Sequence, residues 1–145
     1  MLFKNFRKKY YDLLITQGKK TVTRIFLTIA SMFGGIAVVF GAFASHALKD
    51  RLSANSLSIW ETGTKYQMYH ALALILVAIL VSRFPDSILL MVAGYAFIAG
   101  VFIFSGSLYA LTLTGIKWLG AITPIGGLAF IIGWLCLALA TWRIE

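Results

Sequence analysis

Tyr66-Gln-Met-Tyr-His70-Ala-Leu-Ala-Leu-Ile-Leu-Val-Ala-Ile-Leu-Val-Ser82 runs 17 residues without a charged side chain. Its apolar residues form a solid block. A strand of a membrane β-barrel would instead alternate apolar and polar positions. Three further uncharged runs flank this one: residues 25–48, 87–116 and 118–142, of 24, 30 and 25 residues. A helix needs ~20 apolar residues to cross ~30 Å of hydrocarbon. Only helices and closed barrels satisfy their backbone polar groups there. The four runs therefore read as four transmembrane helices, with approximate spans 24–46, 65–83, 88–113 and 119–142.

The second run is short for a span, so its helix is expected to begin well before Tyr66. Ser53 is the candidate N-cap, and Glu61 with Lys65 forms a favourably oriented i,i+4 pair. Gly63 is the weak point of that stretch.

Composition agrees. Of 145 residues, 60% are hydrophobic and 12% charged. Soluble domains average ~25% charged, so this chain has too little charge to cover a water-facing globule. A soluble enzyme and a disordered tail are both excluded. The length suits one domain. The first apolar run exceeds the ~7–15 residues of a secretory signal's core and is read as a span. Cys136 is the only cysteine, which excludes an internal disulfide and any CxxC site.

The charge is strongly asymmetric. Thirteen Lys and Arg face five Asp and Glu, a net of +8. Seven of the thirteen, Lys4, Arg7, Lys8, Lys9, Lys19, Lys20 and Arg24, fall in the first 24 positions, opposed only by Asp12. A basic arm directly before an apolar span marks a cytoplasmic end beside anionic lipid, in preference to a nucleic-acid site. Residues 1–23 are thus read as a basic amphipathic arm that contacts lipid or a partner. Leu2, Phe3, Phe6, Tyr10 and Leu13 fall mostly on one side, and Lys4, Arg7, Lys8 and Asp12 mostly on the other. That is the pattern of a helix lying in the interface, with Thr16-Gln-Gly-Lys-Lys-Thr21 as a polar hinge. Residues 24–145 form the four-helix domain. With the N-terminus inside, nine Lys and Arg lie on the cytoplasmic side and four opposite, so both termini are expected in the cytoplasm. Short connections predict a compact bundle.

Small residues drive helix association in lipid. The first span carries Ala30, Gly34, Ala37, Gly41 and Ser45 on one stripe. Gly100 in the third span and Gly126 and Gly127 in the fourth are further packing candidates. Pro124, lacking an N–H, is expected to kink the fourth helix or to end a non-helical lead-in.

No Asp, Glu, Lys or Arg lies inside a span, which argues against proton-coupled transport and against paired-carboxylate catalysis. No phosphate-binding loop, HExxH or GxSxG motif is present. The two histidines, His46 and His70, remain. Consecutive antiparallel helices put both near the outer side, where they are candidates to face each other. Gly63, Tyr66, Gln67 and His70 share one helical face. Three readings stay open. The first is a polar network that stabilises the bundle. The second is a ligand or lipid-headgroup site formed with Tyr66, Gln67 and Lys49. The third is metal or haem ligation by His46 and His70, although two histidines fall short of a closed zinc site.

Four segments then accumulate in order: Phe40-Gly-Ala-Phe-Ala-Ser-His46, Glu61-Thr-Gly-Thr-Lys-Tyr-Gln-Met-Tyr-His70, Phe104-Ser-Gly-Ser-Leu-Tyr-Ala-Leu111 and Gly120-Ala-Ile-Thr-Pro-Ile-Gly-Gly127. Together they closely resemble the family called domain of unknown function 423, related to transmembrane protein 256. The resemblance covers about residues 24–142. It implies a four-helix inner-membrane protein without an established activity, and its pattern includes positions matching His46, Tyr66, Gln67, His70, Ser105, Gly106, Pro124 and Gly127. The chain departs from the pattern in its first ~23 residues, since many relatives begin near the first span. The likeness to bacterial relatives implies a plasma membrane, or a thylakoid membrane in a photosynthetic source.

The expected protein is an all-α integral membrane four-helix bundle with an N-terminal amphipathic interfacial helix. Its expected role is non-enzymatic: an accessory or assembly factor that binds lipid, another membrane protein or a second copy of itself. No cofactor, metal or nucleic acid is expected. The alternatives are a ligand-, metal- or haem-binding protein centred on His46 and His70, and an oligomeric channel or permease.

Overall fold

Two serines and a glycine set the helix boundaries. Ser53 sits in an extended conformation and its Oγ accepts the Ser56 N–H at 3.1 Å, opening the second helix at Ala54. Ser87 caps the third in the same way, accepting from the Leu90 N–H. Gly115, at φ 70°, closes the third span in the left-handed conformation that only glycine adopts cheaply, and its N–H bonds Leu111 O.

The computed structural model describes residues 2–143, with side chains described for residues 17, 18 and 20–143. Its elements are α1 (Leu2–Phe43), a π-turn (Ala44–Leu48), α2 (Ala54–Arg83), α3 (Ile88–Gly100), a second π-turn (Val101–Ser105), α4 (Gly106–Thr114) and α5 (Leu119–Trp142). Among the described residues there is no strand. Four stretches are long and apolar enough to cross a membrane: Lys20–Leu48, Ala54–Arg83, Ile88–Thr114 and Leu119–Trp142. They match the four expected spans in number and order. The early start of the second is as read from Ser53. Glu61 and Lys65, expected to pair, close no ion pair among the described residues.

Two expectations about helix continuity need correction. The polar segment Thr16–Thr21 is not a hinge, because α1 continues through it as one 42-residue helix. At 1.5 Å per residue that is roughly 63 Å, about twice the ~30 Å of hydrocarbon a span must cross. No proline interrupts the segment, and Thr21 Oγ1 bonds Gln17 O at 2.9 Å inside the helix. The side chains of Lys4, Arg7, Lys8, Lys9 and Lys19 lie outside the described residues, while Lys20 and Arg24 are exposed. Pro124 does not follow a non-helical lead-in, since α5 starts five residues before it and runs on through it. As the sixth residue of α5, Pro124 lies beyond the first turn and cannot donate the i→i−4 bond to Gly120 O.

α1 packs along α2. α2 also packs against α3, the second π-turn and α4, and α5 packs against those same three. The main core joins Phe26, Ala30 and Phe33 of α1 to Leu74, Val77 and Ala78 of α2. From the third and fourth spans come Leu90, Ala93, Phe97, Phe130 and Leu137. A smaller cluster of Ala44, Leu48 and Trp60 closes the end away from Arg83. Gly34, expected on the packing stripe of α1, is only half-buried, and a Cβ added there meets nothing within 4 Å. Ala30 and Ala37 of that stripe are buried as expected, together with Phe26 and Phe33 of α1 and Ala44 of the first π-turn.

Candidate functional site

α2 is the polar hub of the bundle. Trp60, then Gly63 and Thr64, then Gln67 and His70 are spaced three or four residues from turn to turn, so they line one side of the helix. Each engages another element or the helix itself. Trp60 Nε1 donates to Phe40 O of α1 at 3.0 Å. Ser105 Oγ, on the second π-turn, donates to Gly63 O at 2.8 Å. Gln67, 3% exposed, donates from Nε2 to Phe33 O at 2.8 Å and accepts the Tyr109 hydroxyl on Oε1 at 3.0 Å. One amide thus ties α1, α2 and α4 together. Among the described residues no buried side-chain nitrogen or oxygen lacks a partner.

His70 is buried one turn farther along. Its Nδ1 lies 2.7 Å from Tyr66 O, and its Nε2 lies 3.2 Å from Trp134 Nε1. A carbonyl only accepts and an indole N–H only donates, which assigns the proton to Nδ1 and the lone pair to Nε2. Both ring nitrogens are therefore engaged. The ring itself stacks on Phe130, with centroids 3.4 Å apart and planes 6° apart.

His46 is elsewhere. It stands exposed on the first π-turn, between the buried residues Ala44 and Leu48. Burying those two sends the intervening side chain outward. The ring neighbours of His70 are Tyr66, Phe97, Phe130 and Trp134. The structure therefore does not bring the two histidines together. Among the described residues no group of three His, Cys, Asp or Glu side chains gathers.

Tyr66 and Gln67 part company in the same way. Gln67 points into the bundle, whereas Tyr66 is 40% exposed and rises beside His70. There it borders a groove of about 520 Å³ between α2 and α5. Tyr66, Tyr69 and His70 form the α2 wall. Phe130, Ile131 and Trp134 form the α5 wall, and Phe104 and Gly127 complete it. The backbones of α2 and α5 stay apart, and side chains meet across the gap. Tyr66 lies 4.7 Å from Phe104, centroid to centroid, and Phe104 lies 5.5 Å from Phe130. The groove is almost wholly aromatic.

Phe104, Phe130 and Trp134 were not singled out as site residues from the sequence. Trp134 carried a usable signal: it sits well inside an apolar span, where its indole N–H must find an acceptor. The π-turn that swings Ser105 onto Gly63 carried none.

A four-span helical membrane protein with an aromatic lateral groove is the class that this fold and site define. The chain belongs to the family described as Protein of unknown function (DUF423), whose model matches residues 40–127. It is similar to the UPF0382 membrane protein SAB0533 of Staphylococcus aureus, 46% identical over 84% of this chain and 98% of that one. It is also similar to the UPF0382 membrane protein YwdK of Bacillus subtilis, 42% identical over 81% of this chain and 95% of that one. A UPF0382 membrane protein of Staphylococcus epidermidis is 47% identical over 84% of this chain and 98% of its own length. No solved structure gives a significant match.

Proposed function

We propose that the protein is a non-enzymatic accessory component of the bacterial plasma membrane that holds a lipid-phase molecule in the α2–α5 groove. The observation that carries this reading is the groove itself. About 520 Å³ falls within the ~300–1,000 Å³ of small-molecule sites, and the rings that line it stand on helices long and apolar enough to cross a membrane. The absence of acidic or basic side chains from the middle of the spans supports a binding role over catalysis. The bacterial relatives and the excess of Lys and Arg before the first span support a plasma membrane with cytoplasmic termini.

The alternative of metal or haem held between His46 and His70 fits poorly. His70 would have to give up Tyr66 O or Trp134 Nε1 to bind a metal, and His46 is not beside it. A pore along the axis of a single bundle is disfavoured by Phe26, Leu74 and Phe97, which are fully buried. A second contact surface is supported on α1, where Gln17, Lys20, Thr21 and Arg24 border a cleft of about 360 Å³ suited to an anionic headgroup. Deleting residues 2–22 tests that surface: unchanged association with anionic vesicles would remove it.

Gly127→Leu tests the groove. A Cβ at Gly127 meets only the Phe104 ring, at 3.9 Å, so the larger side chain extends into open space. Protein purified from native membrane into nanodiscs is expected to retain a stoichiometric small molecule, read by mass spectrometry, that the variant loses. Equal retention by both proteins would overturn the reading.

A further inference from the structure

We propose that the α2–α5 groove holds an acyl chain of a negatively charged phospholipid, whose headgroup is taken by Lys65, Tyr66 and Tyr69. The proposal rests on the reading of the groove as a site for a lipid-phase molecule, and adds which molecule and which end of the bundle.

The floor of the groove favours a chain. His70 and Phe130 come from opposite walls, stack with centroids 3.4 Å apart and are each 4% exposed. They bridge the gap between the helices and leave no slot for another ring. Tyr66, Tyr69, Ile131 and Trp134 flank this floor and are all exposed. From Gly127 to Trp134 the α5 wall runs seven residues, roughly 10 Å. A transmembrane partner helix needs a face of about 30 Å. A flexible acyl chain needs only apolar contact along its length.

The donors lie where a headgroup lies. Tyr66 is 17 residues before Arg83 on one continuous helix, roughly 26 Å along the axis. With Arg83 at one boundary of a ~30 Å apolar layer, Lys65, Tyr66 and Tyr69 fall near the other. Helical side chains lean toward the helix N-terminus, which on α2 is the direction of that second boundary. Lys65 and Tyr69 are four residues apart and share a face, and the rings of Tyr66 and Tyr69 are 6.1 Å apart. Three donors thus meet at one end of the groove.

The fold gives those donors no acceptor. Among the described residues Lys65 forms no ion pair with Glu61, and neither phenol hydroxyl has a hydrogen-bond partner. One ammonium and two O–H groups match a phosphodiester and the ester carbonyls beneath it. Tyr66 and Tyr69 belong both to the groove wall and to this donor cluster. The exposed side of α5 differs: Ile125, Leu128, Ile132, Leu135 and Leu139 carry no donor and offer a lipid only apolar contact.

Trp134 stands at the end of the groove away from the donors and reports on a chain lying there. The full-length protein is placed in phosphatidylcholine nanodiscs with rising fractions of phosphatidylglycerol brominated on one acyl chain. A second series uses phosphatidylcholine brominated in the same way. The contribution of Trp134 is taken as the difference between the protein and Trp134→Phe. Saturable quenching is expected, with the phosphatidylglycerol reaching half-effect at a mole fraction about fivefold lower than the phosphatidylcholine. Lys65→Gln is expected to abolish that preference. Tyr66→Phe combined with Tyr69→Phe is expected to weaken binding of both lipids about threefold. Lys117→Gln removes a cation from the same end of the bundle, ten residues before Gly127, and is expected to shift the half-effect less than about twofold. Circular dichroism and elution volume check that each variant is folded.

Equal loss of the preference in Lys65→Gln and Lys117→Gln would overturn the proposal, since surface charge alone would then gather the lipid. Equal half-effects for the two lipids, with saturable quenching lost in Gly127→Leu, would overturn the headgroup assignment and leave the groove a site for an unselected chain. Quenching equal in the protein and in Gly127→Leu would overturn the proposal and the groove reading together.

Discussion

The α1–α2 and α3–α5 interfaces face the same problem, holding apolar helices together where lipid competes for every contact. They meet it differently. Across α1–α2, side chains of α2 donate to carbonyls of α1: Gln67 to Phe33 O and Trp60 to Phe40 O. The glycines of α1 contribute little. A Cβ at Gly34 or Gly35 meets nothing within 4 Å, and one at Gly41 meets only the Thr64 methyl, at 3.7 Å. Across α3–α5 the glycines are the interface. Phe97 of α3 covers Gly133 of α5, and Phe130 of α5 covers Gly100 of α3. One turn farther on, the backbone of Phe104 rests on Gly126. A glycine becomes a packing device only when the opposing helix brings a ring or a backbone into the gap. The gap is visible in one helix's sequence, but the object that fills it is not.

The sharpest way to break this contrast is at Gly126. A Cβ there overlaps the backbone nitrogen, Cα and Cβ of Phe104, none of which can rotate away. Gly126→Ala is expected to cost about 3 kcal/mol or more, read as lost thermal stability in detergent. Gly133→Ala comes next. Its Cβ would sit 2.5 Å from Phe97 Cε1, and Phe97 is fully buried, so its ring has little room to turn. About 1–3 kcal/mol is expected. Should both variants melt with the parent protein, the α3–α5 interface is looser than the structure has it.

Gln67→Leu probes the other interface. It deletes the bond to Phe33 O and the acceptor for Tyr109 in one step, at nearly constant volume. Hydrogen bonds between membrane helices average ~0.6 kcal/mol each and reach ~1.7, so a loss of about 1–2 kcal/mol is expected. Ser105→Ala, which loses one bond to Gly63 O, is expected to cost about half as much. A Gln67→Leu protein as stable as the parent would make the α1–α2 bonds incidental and leave apolar packing as the only cement.

These expectations also mark what the residues disclosed by themselves. The four spans were legible because a charge is expensive anywhere in hydrocarbon, so gaps between charges need no knowledge of neighbours. Ser53 was legible because an N-cap is a local device. The buried Gln67 and His70 were legible as a shared polar face, since helical periodicity fixes which residues are adjacent. Their partners were not. Tyr109, Trp134 and the Gly63 carbonyl come from other helices or from the backbone, and the π-turn at Val101–Ser105 rotates Ser105 into place by adding to a turn. The pairing of His46 with His70 failed for the same reason. Depth in the membrane was readable from position, but rotation about the axis was reset by the π-turn at Ala44–Leu48.

Gly34 offers the smallest expected effect and the cleanest discrimination. By residue type it belongs with Gly126, since both are glycines inside apolar spans beside other small residues. By environment they are opposites, with open space at one and a backbone at the other. Gly34→Ala removes a residue that disfavours helix by ~1 kcal/mol relative to alanine and adds no collision. It is therefore expected to leave melting unchanged or to raise stability by up to ~1 kcal/mol. A loss comparable to that of Gly126→Ala would mean that α1 presses its Gly34 face against something in the membrane, such as a second copy or a partner helix. The stability of this one variant, compared between detergent and native membrane, thus separates a glycine kept for the bundle's own packing from one kept for contact beyond it.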